Sequence, residues 1–378
     1  MKKSICALLC ALSLLGSVQT WAWGPVGHIV IGTSAARMTE DQLKTIMFRK
    51  IGEGIDRSVQ AGYYADYPDA GWKRLGPYIR RLETVTHIFQ VGEIGSTAIP
   101  SNYDEAKAKF QGQEGKITHR PIDFFTTIGT APWRSEQFRV MMIKELKTAK
   151  LVLDRGDKAS ARAHIQEAIA LGGLMGHYIG DLTQPLHAAV DYNGWEHDQG
   201  GLHSYFEGKM VSAIDSKTIE ATIRRRANEL YPALYKAAQS GKDPVALLIQ
   251  LGRNSASLAN TVFQLDRQFA LLQKSSIDPD GTKHRAKRRE PSEVVNHFAP
   301  FLVERLAMGS AMLKVFWVSA LAAAGSPDFS SLNIGSLPDQ HGYIMPNYDK
   351  LNTSSQDMVD GNWSSIDPRT DLDEDHVH

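Results

Sequence analysis

Two histidine–carboxylate pairs stand close together in this chain. His177 and Asp181 are separated by four positions, His203 and Glu207 likewise, and His187 lies between them. Residues i and i+4 of an α-helix share a face, so each pair offers an imidazole nitrogen and a carboxylate oxygen to one point in space. Pro185 cannot continue the helix that carries His177 and Asp181; it should end that helix and turn His187 back toward the same space. Zinc takes both ligand types at about 2.0–2.2 Å, a scale on which pairs one helical turn apart converge. One His-x3-Asp arises often by chance. Two such pairs joined by a histidine within residues 177–207 do not. The competing reading is a set of surface or hydrogen-bonded core histidines.

Helical patterning supplies the elements that must position these groups. Thr39-x-x-Gln42 is a capping-box pattern that opens a helix after a first one over 27–37, and Ile165, Ile169 and residues 175–179 fall at helical spacing. Further helical patterns cover roughly 135–155, 202–238, 243–273 and 292–324, while the alternation expected of strands is scarce. The expected fold class is all-α. Residues 88–132, rich in Gly, Pro, Ser and Thr, read as long loops around a short helix near 103–110. The turn signal Ile277-Asp278-Pro279-Asp280-Gly281 precedes a basic run over 283–289, which reads as a solvated loop or as a patch for phosphate-rich partners.

The ends of the chain bound its setting. Lys2 and Lys3 precede the apolar run 5–15, and Thr20-Trp21-Ala22 places small residues before a cut after Ala22; residues 1–22 are therefore expected to be a secretory signal peptide. The run is shorter than the roughly 20 residues that a spanning helix requires, and no transmembrane segment is expected. Localisation would be secreted or periplasmic. Cys6 and Cys10 are the only cysteines and lie inside that segment, so the mature chain would have no disulfide and no thiolate ligand. The formal net charge of +0 becomes about −2 once the two lysines are removed, which implies no strong attraction to polyanions. Residues 23–325 form the helical domain of this reading. Residues 326–378, dominated by Gly, Ser, Pro, Asn and Asp, are expected to be an irregular acidic arm.

Gly180-Asp181-Leu182-Thr183-Gln184-Pro185-Leu186-His187, within the segment 176–207, resembles the zinc-dependent phospholipase C family of secreted bacterial enzymes. That family shares a helical bundle with a trinuclear zinc cleft with the single-strand-specific zinc nucleases of fungi and plants. Trp23-Gly24-Pro25-Val26-Gly27-His28 resembles the superfamily's opening, where the first Trp binds zinc through its amino group and carbonyl oxygen. Gly62-Tyr63-Tyr64-Ala65-Asp66-Tyr67 and Thr86-His87-Ile88-Phe89 resemble two further ligand segments, and residues 301–325 faintly resemble the last helix. The resemblance implies three zinc ions. Asp66, His87, His177 and Asp181 would hold one, and His187, His203 and Glu207 a second; Trp23 and His28 would hold the third, with Asp181 shared. Asp69 rivals Asp66, and His119 rivals His87. Neighbouring divalent ions polarise a phosphoryl oxygen and lower the pKa of bound water, and Asp66 could orient or deprotonate that water.

The substrate is read from the surroundings of the metals. The His-x3-Glu ending at Glu207 and the short connection before His203 resemble phospholipases. Tyr67 matches a position that contacts a choline head group, where cation–π attraction is a physical reason for an aromatic; Tyr64 and Tyr67 could line a pocket for a small head group or, equally, stack on a base. The five-residue step from Trp23 to His28 resembles the nucleases instead, and residues 24–26 offer no acid for a choline. A phospholipid at a membrane surface is the expected substrate and single-stranded nucleic acid the alternative; a zinc-binding scaffold without activity is the remote third. No protein partner is inferred.

Overall fold

A computed structural model describes residues 23–38, 56–215, 218–348 and 351. The expected signal segment, the capping box at Thr39 and the acidic chain end lie outside the described residues. The described chain is all-α. Its helices are α1 (Gly24–Arg37), α2 (Arg57–Ala70), α3 (Pro77–Thr86), α4 (Tyr103–Phe110), α5 (Ala131–Asp154), α6 (Lys158–Thr183), α7 (Ile219–Gln239), α8 (Pro244–Ser257), α9 (Ala259–Leu265) and α10 (Pro291–Ala323). Between α6 and α7 the chain winds through Leu202–Ser204, the π-helical segment Tyr205–Met210 and Val211–Ala213.

Start signals are spent where the physics asks for them. Asp56, Asn102, Asp157 and Asp243 accept hydrogen bonds from the first-turn amides of α2, α4, α6 and α8, and Pro77, Pro132, Pro244 and Pro291 occupy first-turn positions that need no amide donor. The helix α6 is the axis of the molecule. Every residue from Ala168 to Thr183 is buried, and it packs against α5, α2 and α10. Its all-round apolar character fits a helix enclosed by others. The same reasoning covers α10, which is long and apolar enough to cross a membrane yet is mostly buried in the core.

Glycines let α1 and α2 touch. A Cβ on Gly32 would fall 2.9 Å from the Ala61 carbonyl oxygen, and one on Gly173 of α6 would collide with Tyr64 of α2. Close approach at these points brings α1, α2 and α6 together beside their carboxylates and histidines.

Two expectations change. The helical pattern over 202–238 is broken, because Ile214 is extended (ψ 140°) between the helical segments. The basic run is not a loop. Residues 271–288 fold back as short antiparallel pairs, Leu271–Gln273 with Lys287–Arg288 and Ser276–Ile277 with Lys283–His284, around the turn closed by Gly281 (φ 86°). Strands this short carry no readable alternation, and cross-strand pairing made them.

Residues 326–348 contain no helix but are packed along the body. Phe329, Leu332, Ile334, Leu337 and Tyr348 are buried, and side chains of the bundle capture the carbonyls of the segment: Gln166 donates to Ile334 and Ser336, Tyr64 to Pro338, Trp72 to His341, Arg134 to Ile344 and Gln137 to Met345.

Candidate metal centre

Three groups of buried side chains that could hold metal ions meet between α1, α2, the end of α3, α6 and the segment after it. Their members are His28, Asp69 and His177; His87, His177 and Asp181; and His187, His203 and Glu207, each with ligand atoms within 4.8 Å of one another. His177 belongs to two groups. Asp181 links all three regions: Oδ1 lies 3.5 Å from His28 Nε2 and 3.6 Å from His187 Nδ1, while Oδ2 lies 3.0 Å from His87 Nδ1 and 3.5 Å from His177 Nε2.

Backbone carbonyls aim the imidazoles. His177 Nδ1 sits 2.7 Å from the Ala65 oxygen, so with the proton on Nδ1 its Nε2 faces the cluster. His187 Nδ1 sits 2.9 Å from the His87 oxygen, and the Phe89 amide donates to the His187 oxygen, which clips these distant segments together. Such partners set the tautomer and orientation of a ligating histidine. Pro185 ends α6 after Thr183 and starts the short 3-10 turn that swings His187 under the helix end. His203 and Glu207 are juxtaposed across the π-helical turn, with Nε2 2.8 Å from Oε2, and Gln184 Nε2 donates to the same carboxylate at 3.1 Å. Wide turns of this kind recur at functional sites.

The electrostatics follow from burial against opposite charge. Burial alone would raise the pKa of Glu207, but His203 and His187 hold it down to about 2. Burial would lower that of His187, but Asp181 and Glu207 carry it up to about 9. Asp181 is held well below the carboxylate range: desolvation is outweighed by His177, His187 and His87. Asp66 goes the other way, up to about 7, chiefly through burial.

The donor set fits a metal. Both ring nitrogens of His28, His203 Nδ1, Asp181 Oδ1, His187 Nε2 and Glu207 Oε1 are buried without a hydrogen-bond partner among the described residues. Each orphan of this kind costs on the order of 1–3 kcal/mol. A concentration of them in one place is what metal coordination would relieve, so these clusters could hold metal ions.

Each residue singled out from sequence has a definite place. Asp69, the rival, joins His28 and His177; Asp66 is buried nearby and belongs to none of the three tight groups. His87 lies inside the cluster, whereas the His119 side chain is 74% exposed and pairs with Glu114. Trp23 is buried at the start of α1 with φ 36°, its indole donating to the Gly180 oxygen at 2.7 Å. Tyr64 is buried beneath the C-terminal segment with its hydroxyl on Pro338, and half-buried Tyr67 sits between Tyr64 and Trp72.

Several contributors escaped the sequence reading. Lys73 Nζ lies 2.6 Å from Asp69 Oδ1, one helical turn on, where an i, i+4 count would have found it. Glu83 Oε2 lies 3.4 Å from His87 Nε2 and accepts the Tyr178 hydroxyl at 2.6 Å. Tyr192 stands edge-on to His203, ring centroids 5.4 Å apart at 87°. For Glu83 the i, i+4 spacing to His87 was a signal; for Tyr192 there was none.

No family model matches the chain, and neither does any curated protein. Among solved structures it is similar to the alpha-toxin of Clostridium perfringens from avian strain SWCP, at 13% identity and a TM-score of 0.37 over 81% of this chain and 66% of that one. It is similar to the alpha toxin of Clostridium absonum at 12% identity and a TM-score of 0.36, over 80% of this chain and 65% of that one. This chain thus spans just under two thirds of their length. Likeness this distant leaves the functional reading to the site itself.

Proposed function

We propose that the protein is an exported zinc-dependent phosphodiesterase of the phospholipase C type, releasing diacylglycerol and a phosphorylated head group from phospholipids. The observation that carries the reading is the contiguity of the three ligand groups through His177 and Asp181. A phosphodiester needs charge neutralised at its bridging and non-bridging oxygens together, and adjoining divalent ions would supply that along with water of lowered pKa. Zinc suits imidazole and carboxylate donors without thiolate. Trp23 would add its amino group and carbonyl once the preceding segment is cut.

The roles of the two acids divide on this reading. Asp69, neutralised by Lys73 and grouped with His28 and His177, serves as a ligand. Asp66, buried beside them but outside the tight groups, is the base that orients the attacking water. Glu207 and the short connection before His203, which resemble phospholipase features, favour the lipid. A single-strand-specific nuclease is the second reading, favoured by exposed Tyr192 beside His203, since nucleases stack bases on aromatic rings.

The test is to assay protein starting at Trp23 on phosphatidylcholine, phosphatidylethanolamine and single-stranded DNA at matched zinc and salt, with metal content by elemental analysis. We expect close to three zinc per chain, activity lost in chelator, and diacylglycerol released faster than nucleotides. Activity intact in chelator would refute the metal mechanism. Nucleotide release without diacylglycerol would establish the nuclease.

A further inference from the structure

The hairpin over 271–289 is joined to the second ligand group. The Ala286 amide donates to the Gly200 oxygen at 3.0 Å, Arg288 donates to the Gln199 and Gly200 oxygens, and the Gly200 amide donates to Ser275 Oγ at 2.9 Å. Arg288 is in turn anchored on buried Asp266 at 2.7 Å. The hairpin therefore rests on the loop that leads into His203. Between hairpin and loop lies a cleft of about 170 Å3, bordered by Ser204, Lys209, Arg285 and Arg289.

Its outer surface combines uncommitted positive charge with exposed aliphatic side chains. Lys209, Arg285, Lys287 and Arg289 have no carboxylate partner among the described residues, and Lys283 lies over the Trp195 ring at 5.2 Å. Of the nearby acids, Asp278 is paired with His284, Asp280 accepts from the Thr282 amide, Asp198 is paired with Lys274, and Glu290 lines the cleft. Leu272 is 60% exposed and Ile277 53% exposed on the same hairpin, and Ile277 is the cross-strand partner of Lys283.

We propose that this hairpin docks the protein on a bilayer containing anionic lipid, holding the second ligand group at the surface where the substrate lies. Cations attract the anionic leaflet and projecting aliphatics enter its acyl boundary. Nucleic acid would use the cations but has no use for Leu272 and Ile277, and the Trp195 ring that could have stacked on bases is covered by Lys283 and packed on Gly200. The proposal rests on the phospholipase reading for its purpose, and binding is scored apart from hydrolysis.

The experiment is co-sedimentation of the full mature chain, zinc present, with vesicles of phosphatidylcholine alone or mixed with phosphatidylglycerol, beside hydrolysis of a short-chain monomeric phosphatidylcholine in solution. We expect the mixed vesicles to bind at least about tenfold more tightly. The double variant Lys287→Glu/Arg289→Glu should lose that preference, and Leu272→Ser/Ile277→Ser should weaken binding to both vesicles. Both should retain the wild-type melt and near wild-type hydrolysis of the monomeric substrate. Equal binding of the two vesicle types by wild type, or wild-type binding by both variants, would overturn the docking face. Tighter capture of a single-stranded oligonucleotide than of mixed vesicles, lost in the charge variant, would overturn it in favour of nucleic acid. Vesicle preference without hydrolysis of any lipid would uphold the docking face and overturn the phospholipase reading alone.

Discussion

Arg134 Nη2 lies 3.1 Å from Glu83 Oε1, with both side chains fully buried. The pair stands between the C-terminal segment and the ligand cluster. On one side Arg134 donates to the Ile344 oxygen at 2.6 Å; on the other, Glu83 faces His87 Nε2 at 3.4 Å. Burial would raise the pKa of Glu83, but Arg134 and His87 hold it near 2, so the carboxylate stays charged at any working pH. A carboxylate behind a ligating imidazole fixes its orientation.

Removing Glu83 should therefore be felt twice. Glu83→Ala leaves a buried guanidinium without its counter-ion, and we expect a loss of about 3–5 kcal/mol in denaturant unfolding. Glu83→Gln should cost less stability but weaken metal retention by about 10–100-fold. Unchanged stability in the alanine variant would mean that Gln137 and the Ile344 oxygen suffice for Arg134.

Asp66 and Asp69 should part company under the same substitution. Asp69→Asn removes a charge from a tight ligand group and from Lys73, and is expected to lower metal content. Asp66→Asn should keep the metal and the fold while turnover falls by roughly 10²–10⁴. Metal analysis beside kcat decides it: metal loss in Asp66→Asn with none in Asp69→Asn would exchange the two roles.

A pH-dependent contribution to stability is expected from the C-terminal segment. Burial would lower the pKa of His341, but the Glu167 carboxylate, 2.8 Å from Nε2, raises it above its ordinary value. A group whose pKa is raised on folding contributes fully below its unfolded pKa, about 6.5, and loses that contribution as pH rises through the folded value. The melting temperature of wild type relative to His341→Gln should accordingly be higher on the acid side, and the gap should close toward alkaline pH. A gap independent of pH would show that His341 acts through packing alone.

What sequence alone determined is local. The i, i+4 spacing of His177 with Asp181 and of His203 with Glu207 already placed each pair on one helical face, and Pro185 after Thr183 already required the turn that redirects His187. The buried run through α6 announced an all-α core in the same way, because helical periodicity is a property of consecutive residues. What lies far apart in the chain was decided only by packing. Asp66 and Asp69, three apart on α2, have nearly the same helical face, and it was the close glycine contacts of α2 with α1 and α6 that selected Asp69 to meet His28 and His177. The segment that carries it favours His87 over its rival His119; in the fold the backbone link between Phe89 and His187 holds His87 in the cluster, and His119 is left in solvent. The basic run became a hairpin against the His203 loop through cross-strand pairs and the buried Arg288–Asp266 contact. Such contacts depend on energies between segments whose separation in the chain carries no periodic signal, so no local pattern could have encoded them.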